Sequence, residues 1–262
     1  MRLRLWPCLL LACLLRAQDP PLVVNPNRPT FATPALTTQS GQIELEWGGQ
    51  QSRYRDDRTA FGTPTLLKIG WAKDLEFRLA TPGFQRLTDP GTEPVTGPGD
   101  LNLGVQWCYQ HVGIFGMDQA IQVNHTFPTA SYAKGLGAGA PGDGLILLFS
   151  RDLGPYHLDV NALESWLGRP PGDGGGRVRQ PAATASLSFT LTDAWSISGE
   201  VYTIGGTELN PRIVSNLWAF GYKVSPACVL DGGVDIGLTR GAPVRTVFAG
   251  LTVALGRFRH AR

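Results

Sequence analysis

Residue types that could support hydrolysis occur together in one region of the chain. His125 adjoins Asn124, and Ser131 and Ser150 follow, so a nucleophile, a base and an orienting group could be assembled there. However, no Gly-x-Ser-x-Gly sequence presents a serine on a sharp turn, and no His, Cys and Asp residues are spaced as zinc ligands. We therefore predict that the protein is not an enzyme and has no catalytic residue, metal site or cofactor.

Polar residues at every second position form the other group of candidate functional residues. In stretches such as 42–47 they alternate with apolar residues, which places the two sets on opposite faces of a strand. If the apolar face contacts lipid, the polar face lines a lumen. The candidates for lining this lumen and selecting solutes are Glu44, Glu46, Lys68, Glu76, Arg78, Gln106, Asn124 and Glu200.

Two roles are open for this polar set. The residues could satisfy one another as a hydrogen-bonded, partly ionic filling of a narrow barrel. Alternatively, they could form a ring of mixed charge that selects solutes. Glu76 and Arg78 lie two residues apart on one face of the same strand, so they are the best candidates for the core of such a ring.

The same alternation recurs along the chain and predicts about twelve strands of roughly nine to twelve residues, long enough to cross a membrane at a tilt. Short turns, such as Lys73-Asp74, alternate with longer loops rich in glycine and proline, such as 85–100 and 169–180. This asymmetry is typical of outer-membrane barrels. We predict an all-β fold with a single antiparallel transmembrane β-barrel of about twelve strands; a secreted soluble all-β protein is the alternative.

The composition supports this fold and excludes one class of partner. Charged residues make up only 17% of the chain, 33 residues are glycine and 42% are hydrophobic. Low charge with many glycines suits strands and turns whose surface largely faces something other than water. The formal net charge of +2 includes no basic cluster, so we expect no nucleic-acid partner.

The N-terminus predicts export from the cytoplasm. Arg2 and Arg4 precede an apolar run that ends near Leu15, and Ala17 offers a cleavage site, as in a Sec-type signal peptide. A lipoprotein cleavage box ending at Cys13 is the alternative. We predict a signal peptide at 1–17, an extended N-terminal arm at 18–40 and a barrel at 41–262. The predicted location is the bacterial outer membrane, with outer-membrane lipid as a partner.

The final strand-like stretch, 246–258, predicts how the barrel closes. Its alternation at the C-terminus is that of a closing strand, so the barrel-assembly machinery is an expected partner. The residues expected to form this assembly signal are Gly250, Val253, Leu255 and Phe258.

Aromatic and cysteine positions add two further expectations. By alternation, Cys108 faces the lumen and Cys228 faces lipid, so the two should be free thiols. Aromatic residues near strand ends should form girdles at the membrane interfaces. These aromatic residues are Trp47, Trp71, Trp107, Tyr109, Phe127, Phe149, Trp195 and Trp218.

Several motifs in a fixed order resemble one family of outer-membrane proteins, the MetA-pathway of phenol degradation family. The matching stretches are Arg28–Pro34, Ser40–Glu46, Pro64–Gly70, Asp74–Leu79, Gly99–Val105, Phe127–Thr129, Leu191–Ser196 and Leu230–Val234. The resemblance covers nearly all of the chain after the signal peptide. It implies a monomeric β-barrel channel for small, hydrophobic or aromatic solutes. The tail Arg257–Arg262 departs from the family pattern because it extends past the usual terminal aromatic residue.

The predicted function is that of an outer-membrane β-barrel acting as a passive channel or transporter for a small-molecule solute. The first alternative is a structural or adhesive barrel of the same fold that transports nothing. A barrel that hydrolyses lipids ranks last.

Overall fold

The strands of this protein form one antiparallel sheet. The computed structural model describes residues 20–258, so the predicted signal peptide and residues 259–262 lie outside the described residues. Short 3-10 helices occur at Ile114–Gly116 and Tyr132–Lys134. The strands are β1 (Gln42–Arg53), β2 (Thr59–Gly62), β3 (Thr65–Ala72), β4 (Leu75–Thr81), β5 (Phe84–Thr88), β6 (Val95–Pro98), β7 (Leu101–Gln110), β8 (Asp118–Phe127), β9 (Gly142–Leu153), β10 (Tyr156–Gly168), β11 (Arg177–Thr190), β12 (Trp195–Ile204), β13 (Ile213–Ser225), β14 (Cys228–Gly237) and β15 (Arg245–Arg257).

The sheet closes into a barrel because β15 pairs with both β14 and β1. The short strands β2, β5 and β6 pair in a row that begins at the end of β1. Each is separated by a two-residue break from a longer strand, β3, β4 or β7 respectively. Pro64 and Pro82 lie at two of these breaks, where a residue without an N–H cannot extend the ladder. With each interrupted pair counted once, the barrel has 12 strands, which confirms the predicted fold class.

The faces of the barrel are inverted relative to those of a soluble protein. On β1, Glu44 and Glu46 are buried inside the barrel, whereas Trp47 on the outer face is exposed. The same alternation recurs on β13, where Ser215 and Leu217 are buried and Trp218 is exposed. An apolar outer face and a polar interior suit lipid outside, so the soluble all-β alternative is wrong.

The two ends of the barrel differ. One end carries short connections, such as the two-residue links 73–74, 154–155 and 226–227, and also the beginning of β1 and the end of β15. The other end carries the longer loops, such as 128–141 and 169–176. By this asymmetry the first end is periplasmic and the second is extracellular. Within residues 20–258 no helix is long and apolar enough to cross a membrane.

Several aromatic residues lie where the girdle prediction placed them. Trp71, Trp107 and Trp195 are on the outer face beside periplasmic turns. Trp218 is an exception, because it lies in the middle of β13. A Cβ added to Gly199 on the neighbouring strand would come within 3.0 Å of the Trp218 ring. The small neighbour therefore lets the indole lie flat against the sheet, away from either interface.

Candidate functional site

An N-terminal arm, residues 20–41, lies inside the lumen and has no regular secondary structure. The Val24 N–H donates to the carbonyl of Pro226 at 2.9 Å, so the arm enters beside the periplasmic β13–β14 turn. It then follows the inner wall before the Gly41 N–H bonds to the carbonyl of Gly70 on β3 at 2.6 Å. The sequence predicted only an extended arm, not that it lies within the barrel.

Inward side chains provide the hydrogen-bond partners that a neighbouring strand would otherwise give the arm. The Glu200 carboxylate accepts from the N–H groups of Phe31 and Ala32, each at 2.7 Å. The Ala35 N–H donates to Ser150 Oγ, also at 2.7 Å. A buried N–H without a partner is strongly unfavourable, and bonds to a carboxylate are among the strongest. The arm also has fewer donors to satisfy because Pro26, Pro29 and Pro34 lack an N–H.

Two amide side chains bind the arm in the manner of a strand. Asn161 Oδ1 accepts from the Thr33 N–H at 2.7 Å, and its Nδ2 donates to the Thr33 carbonyl at 3.0 Å. This two-bond exchange reproduces a hydrogen-bonded pair of an antiparallel sheet. Gln106 Nε2 donates to the carbonyls of Pro34 and Ala35 at 2.9 and 3.2 Å. The middle of the arm is therefore fixed to β7, β9, β10 and β12.

A buried ion-pair network joins β1, β3 and the arm. Lys68 Nζ lies 3.1 Å from Glu44 Oε2 and 2.8 Å from Glu46 Oε1, and all three side chains are at most 3% exposed. The ammonium also donates to the carbonyl of Asn25, and Glu46 accepts from the Asn27 N–H at 2.8 Å. A buried charge is tolerated only when it is paired and hydrogen-bonded, as each charge is here.

Glu76 and Arg78, the pair expected at the core of a selectivity ring, bind each other. Arg78 Nη1 lies 2.7 Å from Glu76 Oε1 and donates to Gln106 Oε1 at 3.1 Å. The other Glu76 oxygen accepts from the Thr38 N–H of the arm at 2.7 Å. Both charges are therefore compensated within the wall and the arm.

The arm also contacts the seam at which the barrel closes. Arg28 donates to both carboxylate oxygens of Asp231, from Nε at 3.0 Å and from Nη2 at 2.8 Å. Gly48 on β1 and Gly250 on β15 are direct partners across the seam. A Cβ on Gly48 would lie 2.8 Å from the Arg28 guanidinium carbon, and one on Gly250 would lie 2.6 Å from Arg28 Nε. The two glycines therefore make room for the guanidinium over the closing strands.

The final residue of β15 holds the two ends of the arm together. Arg257 donates to the carbonyl of Pro20 at 3.0 Å and to Gln39 Oε1 at 2.6 Å. It also donates to the carbonyl of Ser40 at 3.1 Å. The arm is thus a loop closed at its base by the last strand.

All eight predicted lumen residues lie on the inward face of the barrel. Asn124 Oδ1 accepts from Gln122 Nε2 at 2.9 Å. Arg78 binds Glu76 and Gln106, which in turn bind the arm. The other six bind the arm directly, namely Glu44, Glu46, Lys68, Glu76, Gln106 and Glu200. A role in selecting solutes stays a prediction.

The sequence did not reveal the arm-binding roles of Arg28, Ser150, Asn161 and Asp231. Alternation alone places Ser150, Asn161 and Asp231 on the inward face, so their direction was available from the sequence. No periodic signal in residues 20–41 indicates that Arg28 turns into the barrel.

The residues of the predicted assembly signal run from the middle of β15 to the residue after it. Gly250 faces the Arg28 guanidinium, whereas Leu255 is exposed on the outer face. The Phe258 ring stacks on Trp71 with ring centroids 6.0 Å apart. Val253 pairs with Cys228 of β14. Recognition of these residues by the assembly machinery stays a prediction.

The extracellular half of the lumen carries both apolar and polar inward side chains. The apolar ones are half-buried or buried and lie mostly on β9 to β13: Leu66, Ile146, Leu163, Leu167, Val178, Ile204, Ile213 and Leu217. The polar ones lie mostly on other strands and bind one another or a neighbouring polar side chain: Ser52, Asn102, Asn124, Thr126, Asp235 and Thr246. A cavity of about 450 Å³ lies between the wall at Glu46, Gln50, Leu66, Ala80 and Asn102 and the arm at Asn27, Arg28 and Thr30, so its lining is mixed. The arm forms the floor of this cavity.

A stacked aromatic pair joins this floor to the wall. The rings of Phe31 on the arm and Tyr202 on β12 are 4.8 Å apart with an interplanar angle of 27°. The Tyr202 hydroxyl donates to Asp235 Oδ2 at 2.6 Å, which fixes the ring against the wall. Phe31 remains 40% exposed, so part of its ring is available to a solute.

The candidate hydrolytic residues do not come together. His125 is on the outer face, where its Nδ1 lies 2.7 Å from Asp143 Oδ1 and its ring contacts Phe127. Ser150 faces the lumen and binds the arm. Within residues 20–258 no serine hydroxyl contacts the imidazole of His125, so it lacks the nucleophile that acyl transfer needs.

Both cysteines described by the structure are free thiols. Cys108 is buried in the lumen, where it belongs to a small apolar cluster with Ala35 of the arm and Leu148 of β9. Cys228 pairs with Val253 at the start of β14 and is half-buried. This agrees with the expectation drawn from alternation.

Comparisons with known proteins identify the fold. No family model matches the chain, and no curated protein matches its sequence. Among solved structures, the COG4313 outer membrane channel from Pseudomonas putida F1 has a TM-score of 0.67 at 14% identity, with 88% of this chain and 100% of that chain covered. The fold is that of an outer-membrane β-barrel. The NanC porin is also similar, with a TM-score of 0.58 at 10% identity over 81% of this chain and 100% of that chain.

Proposed function

We propose that the protein is a passive outer-membrane channel or transporter for small apolar solutes, which enter from the extracellular side and bind above the arm. The observation that carries this proposal is an apolar patch on the lumen wall above the arm. The arm engages many of the polar inward side chains, whereas Leu167, Val178, Ile204 and Ile213 form this apolar patch on β10 to β13 in the extracellular half. Apolar pockets with a few polar groups are typical sites for small hydrophobic molecules.

Two other observations support the same class of solute. The exposed ring of Phe31 on the arm offers an aromatic solute a stacking partner. The resemblance to the MetA-pathway of phenol degradation family points to the same chemistry. The similar solved structures include one described as an outer membrane channel and one described as a porin.

Uptake of an apolar fluorescent probe tests this proposal. Cells of a porin-deficient Gram-negative host that make the protein should take up N-phenyl-naphthylamine faster than cells without it. Leu167→Lys places a charge in the apolar patch and should reduce uptake to the level of cells without the protein. Leu167→Met keeps the volume and polarity and should leave uptake unchanged. Equal uptake by cells with and without the protein would contradict the proposal.

A barrel that transports nothing is the second candidate, and the arm itself favours it. The arm crosses the lumen and is bound to six of the eight predicted lumen residues. Planar-bilayer recordings of the purified protein and of a variant lacking residues 20–38 separate the two functions. Ion conductance in the variant, with little in the full-length protein, would indicate a channel that the arm occludes. No conductance in either would favour a structural barrel.

A further inference from the structure

The β7–β8 turn, residues 111–117, presents an apolar tip at the periplasmic end of the barrel. Its side chains Val112, Ile114 and Phe115 are 75%, 61% and 82% exposed. Val112 and Phe115 also have positive φ angles of 50° and 55°, which β-branched and bulky residues rarely adopt. Three apolar side chains exposed together to water would be unfavourable, so a different environment for this tip is indicated.

The turn folds down the outer face of the barrel. Gln119 points outward, because it pairs with Phe149 of the outer face, yet it is only 4% exposed. A Cβ on Gly113 would lie 2.2 Å from Gln119 Nε2, so the turn lies directly over this side chain. On its other side Gln119 accepts from the Tyr109 hydroxyl at 3.0 Å. The exposed tip therefore lies on the side of the barrel that faces lipid.

Side chains from neighbouring strands hold the turn in this position. Arg151, on the outer face of β9, donates to the carbonyl of Phe115. At the base of the turn, the His111 ring lies between Asp74 and Asp118, with nitrogen–oxygen distances of 3.1 and 3.3 Å. The turn is thus fixed to the β3–β4 turn, β8 and β9.

We propose that the β7–β8 turn is a membrane anchor that inserts Val112, Ile114 and Phe115 among the acyl chains of phospholipids in the periplasmic leaflet. The tip continues the lipid-facing aromatic belt, because Trp107 and Tyr109 precede it on the outer face with 54% and 40% exposure. Arg151 is the positioning residue: its cation lies at the level of the lipid head groups, and its bond to the turn directs the tip toward the acyl chains. The anchor does not depend on what passes through the lumen.

Collision accessibility of a spin label measures whether the tip lies in lipid. The protein without residues 1–17, which contain Cys8 and Cys13, carries Cys108→Ala and Cys228→Ala. A nitroxide is attached at Phe115→Cys or, in a second variant, at Ile114→Cys. The protein is folded into vesicles of phosphatidylcholine and phosphatidylglycerol. We expect frequent collisions with oxygen and few with a water-soluble nickel chelate at both positions. Adding Arg151→Gln should shift both labels toward water, and unchanged labels would contradict its positioning role.

Two control positions calibrate this measurement. Val123→Cys reports a lipid-facing site in the middle of β8, and Asp193→Cys reports an exposed site in the periplasmic β11–β12 turn. Labels at 114 and 115 that behave like the label at 123 support the anchor. Labels that behave like the one at 193 overturn it. A label at 123 that reacts as if in water would overturn both the anchor and the membrane position of the barrel.

Discussion

At the scale of single residues, many charges of the lumen are bound to an opposite charge or to the arm. Lys68 shows this most clearly, because it is buried between Glu44 and Glu46. Replacing Lys68 by Met should leave two unpaired carboxylates in contact and lower the free energy of unfolding by about 3–5 kcal/mol. The midpoint of urea-induced unfolding in detergent measures this change.

The matched control removes the carboxylates as well. A variant with Lys68→Met, Glu44→Gln and Glu46→Gln keeps the volume of the network without its charges. It should recover much of the lost stability, since replacing a whole buried ion network by neutral groups is far less costly than breaking it. If Lys68→Met alone unfolds at the same urea concentration as the unmodified protein, the three charges are not coupled as described.

Arg28 and Asp231 should be energetically coupled because of the geometry of their contact, and not only because of their charges. The two parallel hydrogen bonds depend on the planar guanidinium, so Arg28→Lys should destabilise the barrel although it keeps the charge. In a double-mutant cycle with Arg28→Ala and Asp231→Ala, we expect a coupling energy of about 1.5–3 kcal/mol. Additive effects of the two substitutions on the unfolding midpoint would contradict the contact.

At the scale of elements, β15 contacts two strands and the arm. It pairs with β14 and β1, faces Arg28 through Gly250 and binds the arm through Arg257. Deleting residues 247–262 should therefore leave two unpaired strand edges, abolish membrane insertion and produce degraded periplasmic protein. Cell fractionation with immunoblotting tests this.

A single substitution directly after β15 separates two roles of this end of the chain, pairing with neighbouring strands and recognition of a side chain by the assembly machinery. Phe258→Ala removes one ring contact but keeps every strand pair, so a protein that needs β15 for closure alone should still insert. Loss of insertion in this variant would instead indicate that the terminal aromatic is read by the assembly machinery. Normal insertion of the protein without residues 247–262 would contradict the closing role of β15.

Strands and the arm differed in how far the sequence could predict them. A strand in a membrane barrel alternates between lipid and lumen, and this period of two is visible in any one segment, such as 42–47. The partners of the arm lie far away in the chain, as for Phe31 and Glu200, and its backbone bonds to side chains follow no period. The inward direction of Glu200 could therefore be predicted, but its role as an acceptor for the arm could not.

At the scale of the whole molecule, closure of the sheet and filling of the lumen should produce a barrel that resists detergent. The 12 strands are paired on both sides along most of their length, and only the short β6 has a single neighbour, so little free edge is available from which unfolding can begin. Unheated protein should run on a dodecyl sulfate gel at a different apparent mass from boiled protein. Identical migration of the two samples, together with a helical circular dichroism spectrum, would contradict the closed barrel.

The closure itself was predictable from the sequence for a general reason, whereas the breaks in three of its strands were not. About twelve alternating segments with an apolar face must bury their edges, and a closed sheet is the solution available in lipid. The breaks at Thr63–Pro64 and Pro82–Gly83 keep neighbouring strands in register on both sides, as Thr63 N–H bonding to the carbonyl of Phe84 at 3.0 Å shows. Such compensation depends on the neighbouring strand and is invisible in the segment alone.

The bonds of Arg257 to both ends of the arm have a consequence for the order in which the barrel is assembled. Arg257 is the last residue of β15, the strand that closes the sheet, so the two ends of the arm can be held together only once β15 is in place. Before that step the base of the arm is not fixed, and afterwards the arm lines a closed wall. Docking of the arm therefore reports that the barrel has closed.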